Sequence, residues 1–270
     1  MLDRMKHALK SSIETSDHER FNLLIKDMYP IDIADFLSVH SDQILITFLK
    51  YTSPDLHAKV LEQANEKLQL RMIKFLDYSE VIHLFSQMSN DDVVDTLGHL
   101  PIGLRKNIIN EIKEDERTSV EQLLGYSKDS AGGIMTTEFI ALNRNLTISE
   151  ALDKIREIGP DTEVIELIFI LNNNHELVGT ADLRDILSSD TNTLLSSITN
   201  ETILTVYPEM DQEKVAWLVS KYDLKAIAVV NSDNKLLGII TVDDIIDVIV
   251  QEQSEDLLRL GGIGGQLKSD

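Results

Sequence analysis

The stretch that decides the fold of the second half of this chain is I168-F-I-L-N-N-N-H-E-L-V-G-T-A-D-L-R-D-I-L187. It aligns without gaps on I227-A-V-V-N-S-D-N-K-L-L-G-I-I-T-V-D-D-I-I246, at a constant offset of 59 residues. Each copy reads as a strand, a polar turn, a second strand and the start of a helix. The repeat therefore predicts two similar α/β modules that pack as a pseudo-symmetric pair.

The chain between about residues 30 and 115 follows a different rule, because apolar side chains recur there every twelve residues. One column contains Leu37, Leu49, Leu61, Ile73, Phe85, Leu97 and Ile109, and a second contains Phe36, Phe48, Val60, Met72, Leu84 and Ile108. Helix-start and breaker residues recur at a similar interval, at Pro30, Asp42, Pro54, Asn90 and Pro101. Twelve residues make a helix of two to three turns plus a tight turn, so this pattern predicts a stacked array of short antiparallel helices.

The predicted fold class is α+β with several domains. An all-helical, short-repeat superhelical domain is expected over residues 1–129, followed by a hinge over 130–136. Two β-α-β-β-α units are expected over about 137–195 and 196–256. Residues 257–270 would then begin a connecting segment.

The composition limits the function of the chain. Forty-six acidic residues against 25 basic ones give a formal net charge of −21 in 270 residues, which is too negative for a binder of nucleic acid or of an anionic membrane. Cysteine is absent, so disulfides, thiolate metal sites and cysteine nucleophiles are excluded. No nucleophile elbow, P-loop, H-E-x-x-H or G-x-G-x-x-G motif is found, so we predict that the chain is not an enzyme. The best apolar run, V164-I-E-L-I-F-I-L171, is too short and too polar to span a membrane.

The stretch T241-V-D-D-I-I-D-V-I-V-Q-E-Q-S-E-D256 carries six carboxylates and no Lys or Arg. On a helix, Asp244, Asp247, Glu252 and Glu255 fall within an arc of roughly 140°. Like charges this close destabilise a helix, so a divalent cation such as Mg²⁺ is an attractive counter-charge. A solvated acidic helix face is the alternative.

The tandem repeat resembles a cystathionine-β-synthase (CBS) domain pair, in which each half ends in G-h-h-[ST]-x-x-D-h-h. The second copy fits this motif from Gly238 through Thr241 and Asp244, whereas the first has Asp182 at the position of the hydroxyl residue. The resemblance implies that Thr241 and Asp244 contact the phosphate and ribose of an adenine nucleotide such as ATP. In the first copy, the carboxylate of Asp182 would repel a phosphate.

The linker S130-A-G-G-I-M-T-T-E138 stands between the helical array and a CBS pair that ends in the acidic helix. This order of parts resembles the cytosolic region of the MgtE family of magnesium transporters over roughly residues 20 to 260. The resemblance implies a regulatory region on the cytoplasmic side of the cell membrane, with the transmembrane pore absent from this chain. It also implies that Mg²⁺ bridges the helical domain to the CBS domains, and the CBS domains to each other across a homodimer, and so stabilises the closed state.

Carried over residue by residue, the resemblance implies several weak Mg²⁺ sites. The helical domain supplies Asp91 and Asp95, four residues apart on one helix. The other ligands implied are Gly133, Glu213, Ser220, Asp223, Asp244, Asp247, Glu252, Glu255 and Asp256. One departure is Lys59, which stands where the family's acidic ligand is expected in the third helix. Its ammonium group could form a direct salt bridge to Asp223 and replace one ion.

Several alternatives stay open at this point. The chain could instead be a CBS module that senses adenine nucleotide, or a helical-repeat adaptor for a protein partner. Asp91 could be only a first-turn acid favoured by the helix macrodipole. Trp217 is expected in the core, beside Val215 and Leu218. Carboxylate and water ligands suit Mg²⁺, Ca²⁺ and Mn²⁺ alike, so the sequence does not select the ion.

Overall fold

The computed structural model of this chain describes residues 8–12, 17–159 and 162–260, without the side chains of 18, 114–116, 255, 256 and 258–260. The chain divides into two compact units, Met1–Glu121 and Gln122–Asp270, each of which is described by itself below. The predicted fold class is confirmed, since a helical array precedes two small mixed sheets with their helices. The predicted domain and hinge boundaries stay predictions.

The first unit is built from helices that begin every twelve residues, which confirms the period predicted from the sequence. Residues 8–12 are also helical. The labelled helices are α1 (His18–Lys26), α2 (Pro30–Ser38), α3 (Asp42–Tyr51), α4 (Pro54–Glu62), α5 (Glu66–Phe75), α6 (Tyr78–Phe85), α7 (Asn90–His99), α8 (Ile102–Glu111) and α9 (Glu114–Leu123).

Capping side chains and prolines explain where several of the helices begin. The side chains of Ser53, Asn65 and Asp77 accept hydrogen bonds from backbone N–H groups in the first turns of α4, α5 and α6. Asp77 and Glu80 form a reciprocal capping box. Pro30 and Pro54 occupy the first helical position, where the missing N–H costs nothing.

Two columns of side chains form the core of the array. The column Phe36, Phe48, Val60, Met72, Leu84, Thr96 and Ile108 is at most 2% exposed. In the neighbouring column, Leu49 and Ile109 are only half-buried. Most helix contacts join each helix to the next but one, as in α2 with α4 and α3 with α5. The predicted stacking therefore arises from alternate helices packing in layers.

The second unit contains the two copies of the sequence repeat. The first copy comprises β1 (Ala141–Asn143), α10 (Ile148–Ile158), β2 (Leu167–Leu171), β3 (Leu177–Asp182) and α11 (Leu183–Ser188). The second comprises β4 (Thr205–Val206), α12 (Gln212–Tyr222), β5 (Ala226–Val230), β6 (Leu236–Thr241) and α13 (Val242–Leu260). In each sheet the first strand is parallel to the second, and the second is antiparallel to the third.

The two sheets pack through alternate residues of their strands. Phe169 and Leu177 of the first copy cluster with Ala228, Val230 and Ile239 of the second. The intervening residues of β2 lie in the separate core that the first copy forms with α10. The predicted pairing of the two copies is therefore confirmed.

The offset of 59 residues holds from the start of β2 onward, but β1 and α10 precede β4 and α12 by 64. The difference arises because the loop between α10 and β2 is five residues longer than the loop between α12 and β5. The first copy thus has a loop, residues 159–166, that its partner copy lacks at this length. Residues 160 and 161 of this loop lie outside the described part.

Helix α13 has 19 residues, whereas its counterpart α11 has six. The acidic residues that follow β6 therefore lie on one long helix, α13. None of the helices in the described ranges is both long and apolar enough to cross a membrane.

The linker after α9 is attached to the second unit by backbone hydrogen bonds. The N–H groups of Ala131 and Gly132 donate to the carbonyls of Met210 and Pro208, and Gln212 N–H donates to Asp129. At Gly133 a side chain would collide with the backbone, since an added Cβ would lie 2.1 Å from the Ser127 carbonyl oxygen. This segment therefore requires glycine for close approach of two backbones.

Thr96 gives a stability prediction for the array. Its hydroxyl is fully buried in the apolar column and makes no hydrogen bond within the described structure. We expect Thr96→Val to raise the free energy of unfolding by about 1 kcal/mol, because it removes an unsatisfied polar group without changing the shape. Urea denaturation measures the change.

Thr47→Val is the matched control for this substitution. Thr47 is also buried on a helix, but its hydroxyl donates to the Gln43 carbonyl at 2.9 Å. This variant should gain nothing or lose stability. Equal losses in the two variants would contradict the assignment of an unsatisfied hydroxyl at Thr96.

Candidate metal-binding residues

The first turn of α13 orients the carboxylate of Asp244. The Thr241 hydroxyl donates to Asp244 Oδ2, and the Thr241 N–H approaches the same oxygen at 3.4 Å. Thr241 is buried and Asp244 is half-buried. The two residues predicted to contact a nucleotide are therefore hydrogen-bonded to each other, in the manner of a helix cap.

Asp247 lies one turn further along α13, in surroundings that disfavour its charge. Desolvation raises the pKa of the Asp247 carboxyl above its ordinary value, and the neighbouring carboxylate of Asp243 raises that pKa further. A bound cation would have the opposite effect, because it stabilises the ionised form. A bound proton or a bound cation would each relieve the unfavourable charge of Asp247.

Helices α12 and α13 together form a groove of about 290 Å³ that contains three of the predicted ligands. Glu213 and Ser220 reach it from α12, and Glu252 reaches it from α13. Gln212 donates a hydrogen bond to Glu252 Oε1 at 2.8 Å, which ties the two helices together. The structure thus brings together residues separated by up to 40 positions in the sequence.

Trp217 lines the same groove, and the prediction that it belongs to the core is wrong. Its side chain is 58% exposed, whereas Val215, Ala216 and Val219 of the same helix are buried. The apolar residues of α12 occupy more than one face of the helix, and only one face meets the sheet. The sequence did not distinguish the face with Val215 from the face with Trp217.

Asp223 caps the C-terminal end of α12 in an unfavourable conformation. Its backbone has φ 53° and ψ 46°, the left-handed region that favours glycine or asparagine. A carboxylate at this end also faces the negative pole of the helix macrodipole. A negative charge at position 223 is therefore locally unfavourable for the helix.

Glu163 is a candidate ligand that the sequence reasoning missed. It lies in the longer loop of the first copy, and one of its carboxylate oxygens comes within 4.8 Å of one from Asp244. Two carboxylates at this separation are suitably spaced to share a cation. The extra residues between α10 and β2 were the available signal, since the repeat alignment started only after them.

In the first unit, Asp91 and Asp95 lie on α7, as the i, i+4 spacing predicted. Asp91 is half-buried and Asp95 is exposed. The acid that contacts the residue preceding the helix is Asp92, which accepts a hydrogen bond from the Ser89 hydroxyl at 3.0 Å. Asp92 therefore interacts directly with Ser89, the residue that precedes α7.

Glu62 is a second acid that the sequence reasoning missed, and it is the last residue of α4. Burial raises the pKa of its carboxyl; the nearby Lys59 ammonium opposes this shift and the Asp91 carboxylate adds to it. Lys59 therefore has a carboxylate neighbour within its own helix. The predicted salt bridge from Lys59 to Asp223 stays a prediction.

In the first CBS-like copy, the carboxylate of Asp182 already has protein partners. It accepts a hydrogen bond from the Arg184 N–H at 3.0 Å and lies 3.2 Å from the Lys225 ammonium. The Arg184 hydrogen bond and the Lys225 ammonium lower the pKa of Asp182 below its usual value. The residue that replaces the hydroxyl of the motif therefore joins the two copies.

Not every predicted ligand belongs to one of these groups. Gly133 lies in the linker and approaches Ser127 and Lys128 closely. The side chains of Glu255 and Asp256 lie outside the described residues. The other candidate ligands of the second unit, as far as their side chains are described, form three sets: the α12–α13 groove, the first turns of α13 with Glu163, and Asp223 alone.

Comparison with known proteins assigns both units. Residues 28–129 match the MgtE intracellular N domain, and residues 131–191 and 195–251 match the CBS domain. The chain therefore combines an intracellular N domain of the MgtE type with a CBS pair, which defines its class. It belongs to the MgtE family.

Individual relatives agree with this assignment. The chain is 30% identical to the magnesium transporter MgtE of Thermus thermophilus over 97% of its own length and 59% of that relative's length. It also resembles a solved structure of the soluble part of a magnesium transporter, with a TM-score of 0.82 and 28% identity over 93% of this chain and 99% of the other.

A second solved structure is the cytosolic domain of the Mg²⁺ channel MgtE in complex with ATP. Its TM-score to this chain is 0.85, with 27% identity over 90% of this chain and 99% of the other. Because the chain spans little more than half of its curated relative, the activity of the whole relative does not pass to it directly.

Asp247 gives a prediction of pH dependence. Its raised pKa means that the folded state binds a proton more readily than the unfolded state, so this group contributes less stability as pH rises above about 4. We expect Asp247→Asn to raise the melting temperature at pH 7 in EDTA, and to make little difference at pH values below the unfolded pKa. Calorimetric melts across this range measure the difference; equal effects at every pH would contradict the assignment.

Proposed function

We propose that this chain is the Mg²⁺-sensing regulatory region of a magnesium transporter, on the cytoplasmic side of the cell membrane. In this proposal Mg²⁺ binds the acidic residues of the N domain and the CBS pair, bridges the two, and also bridges CBS domains across a dimer. The bound ions stabilise the closed state of a transmembrane pore that this sequence does not contain.

The observation that carries the proposal is the placement of carboxylates where their own surroundings disfavour negative charge. Asp223 has a left-handed backbone at the negative end of α12, and the pKa of Asp247 is raised beside Asp243. Glu163 and Asp244 bring carboxylate oxygens within 4.8 Å of each other. Divalent cations would offset the negative charge at each of these places, because carboxylate oxygens and water are their preferred ligands.

The energetics require several ions to act together. One ion at a concentration equal to its Kd adds only about 0.4 kcal/mol of stability. Moving a two-state element from 1:99 to 99:1 needs about 5.5 kcal/mol. Several weak sites that act together can supply this free energy, so we expect a cooperative response to Mg²⁺.

Adenine-nucleotide binding is a second candidate function, and the two functions are compatible. A structural relative with a TM-score of 0.85 was solved in complex with ATP. In the second copy of this chain, the Thr241 hydroxyl and the Asp244 carboxylate are adjacent and hydrogen-bonded. In the first copy, Asp182 bonds to Lys225, so we expect no phosphate at that residue.

We also propose that the regulatory region is a homodimer that forms through its CBS domains. Helix α13 exposes Ile246, Val250 and Leu257, and α12 exposes Trp217 beside it. Apolar side chains gathered on two packed helices are typical of a surface that another subunit covers. A two-fold axis would bring two copies of the acidic helix together, where shared Mg²⁺ would reduce their repulsion.

Asp223→Gly separates a metal-binding role from a structural role. In EDTA this substitution should raise the free energy of unfolding by about 1 kcal/mol, because glycine relieves the left-handed strain and removes a charge from the helix end. The same variant should gain less from millimolar Mg²⁺ than the native protein. Thermal melts with EDTA and with MgCl₂ measure both effects, and calorimetric titrations with MgCl₂ and ATP identify the ligand.

His175→Gly is the matched control. His175 also has a positive φ, at 61°, but it is not a candidate ligand. This variant should gain stability in EDTA and keep the full response to Mg²⁺. If Asp223→Gly also keeps the full Mg²⁺ response, Asp223 is not a ligand; if the native protein binds no Mg²⁺ at all, the proposed function fails.

The dimer is tested by placing a charge on α13. Ile246 is 54% exposed, and Ile246→Glu should shift the protein toward the monomer, because the new carboxylate would be buried in the interface. Sedimentation velocity with and without Mg²⁺ measures the shift. Val39→Glu, at a 79% exposed site on the N domain, is the control and should leave the dimer intact. A native protein that is monomeric in both conditions would refute the dimer.

A further inference from the structure

The first unit contains a cavity that the proposed function does not use. It has a volume of about 320 Å³ and is lined by residues of α6, α7, α8 and α9 and of the turn between the last two. Its apolar lining includes Phe85, Val93 and Val120, each of which is buried. The volume falls at the lower end of the range for small-molecule sites.

The cavity has a cause in the sequence. Helices α2 to α5 each bury four residues, whereas α8 buries only Ile108. The twelve-residue columns that place Val81 and Val93 in the core place Arg105 on α8, and its guanidinium bonds to the carbonyls of Gly98 and Leu100. Helix α8 therefore lacks the apolar side chains that fill the space between alternate helices elsewhere in the array.

The mouth of the cavity is polar and carries both signs of charge. Glu111, the last residue of α8, and Lys113, in the turn before α9, flank the buried Ile112, and both are exposed. On the opposite wall, α6 contributes Ser79 and His83. An apolar floor beneath a few polar groups is the usual composition of a site for a small organic ligand.

We propose that this cavity binds a small zwitterion with an apolar side chain, of the kind represented by an aromatic α-amino acid. The apolar group lies against Phe85, Val93 and Val120. The ammonium group of the ligand pairs with Glu111, and its carboxylate pairs with Lys113. Opposite charges on the ligand match opposite charges at the mouth, so neither a simple cation nor a simple anion fits as well.

The site is independent of the Mg²⁺ proposal, since none of its lining residues is among the candidate metal ligands. Its test therefore uses the chain in EDTA. L-phenylalanine is the probe, and two analogues each lack one charged group: phenethylamine lacks the carboxylate, and 3-phenylpropionate lacks the ammonium. Amide chemical-shift titrations give both the location and the Kd.

We expect L-phenylalanine to shift amide signals around residues 79–93 and 111–120 in a saturable way. Each analogue should bind at least ten-fold more weakly. Glu111→Gln should abolish the preference over 3-phenylpropionate, and Lys113→Met should abolish the preference over phenethylamine. The two substitutions should each remove a different ligand preference, and a general loss of folding cannot produce both results.

A pair of core variants tests the cavity itself. Val93→Leu adds a methylene group toward the cavity and should leave the melting temperature unchanged or raise it, while weakening L-phenylalanine binding at least ten-fold. Val60→Leu is the matched control, because Val60 is fully buried and does not line the cavity. It should lower the melting temperature and leave binding unchanged.

Three outcomes would overturn the proposal. The first is the absence of saturable shifts at millimolar L-phenylalanine. The second is equal affinity for the zwitterion and both analogues, which would indicate only an apolar pocket. The third is an equal loss of stability in Val93→Leu and Val60→Leu, which would show that no space exists beside Val93.

Discussion

Both units depend on the same constraint, which is that their elements are too short to be stable alone. A helix of eight to ten residues is marginal in water, and a small sheet is stable only when its hydrophobic face is packed. Each element must therefore bury its apolar face against another copy of the same pattern. The N domain meets this requirement by stacking alternate helices, and the CBS pair meets it by packing Phe169 and Leu177 against the second sheet.

Because the repeated apolar positions already form the core, the other positions of the repeat can carry functional residues. The column through Phe48 and Met72 forms the core of the array, so positions of α7 outside that column can carry the half-buried Asp91 and the exposed Asp95. In the CBS pair, α13 begins directly after β6 and packs against α12, and acids such as Asp243 and Asp247 occupy its exposed positions.

Each departure from a repeat coincides with a chemical feature. Thr96 and Arg105 interrupt the apolar columns, and α8, the helix that carries Arg105, ends at the cavity. The longer loop of the first CBS copy carries Glu163 to Asp244, and Asp182 replaces a hydroxyl and bonds to Lys225. The sequence pattern predicted the structure at repeated positions and missed features such as Glu163 at these departures, since a period predicts only what is repeated.

The sequence by itself determined the twelve-residue array, the two CBS copies with their offset of 59, and the identity of most candidate ligands. Periodicity suffices for this, because it fixes which residues of one element share a face. Only the tertiary structure decided that Trp217 is exposed, that Glu213, Ser220 and Glu252 share one groove, and that Glu163 lies near Asp244. These relations depend on which faces of different elements meet, and that choice is made by the packing of the whole unit.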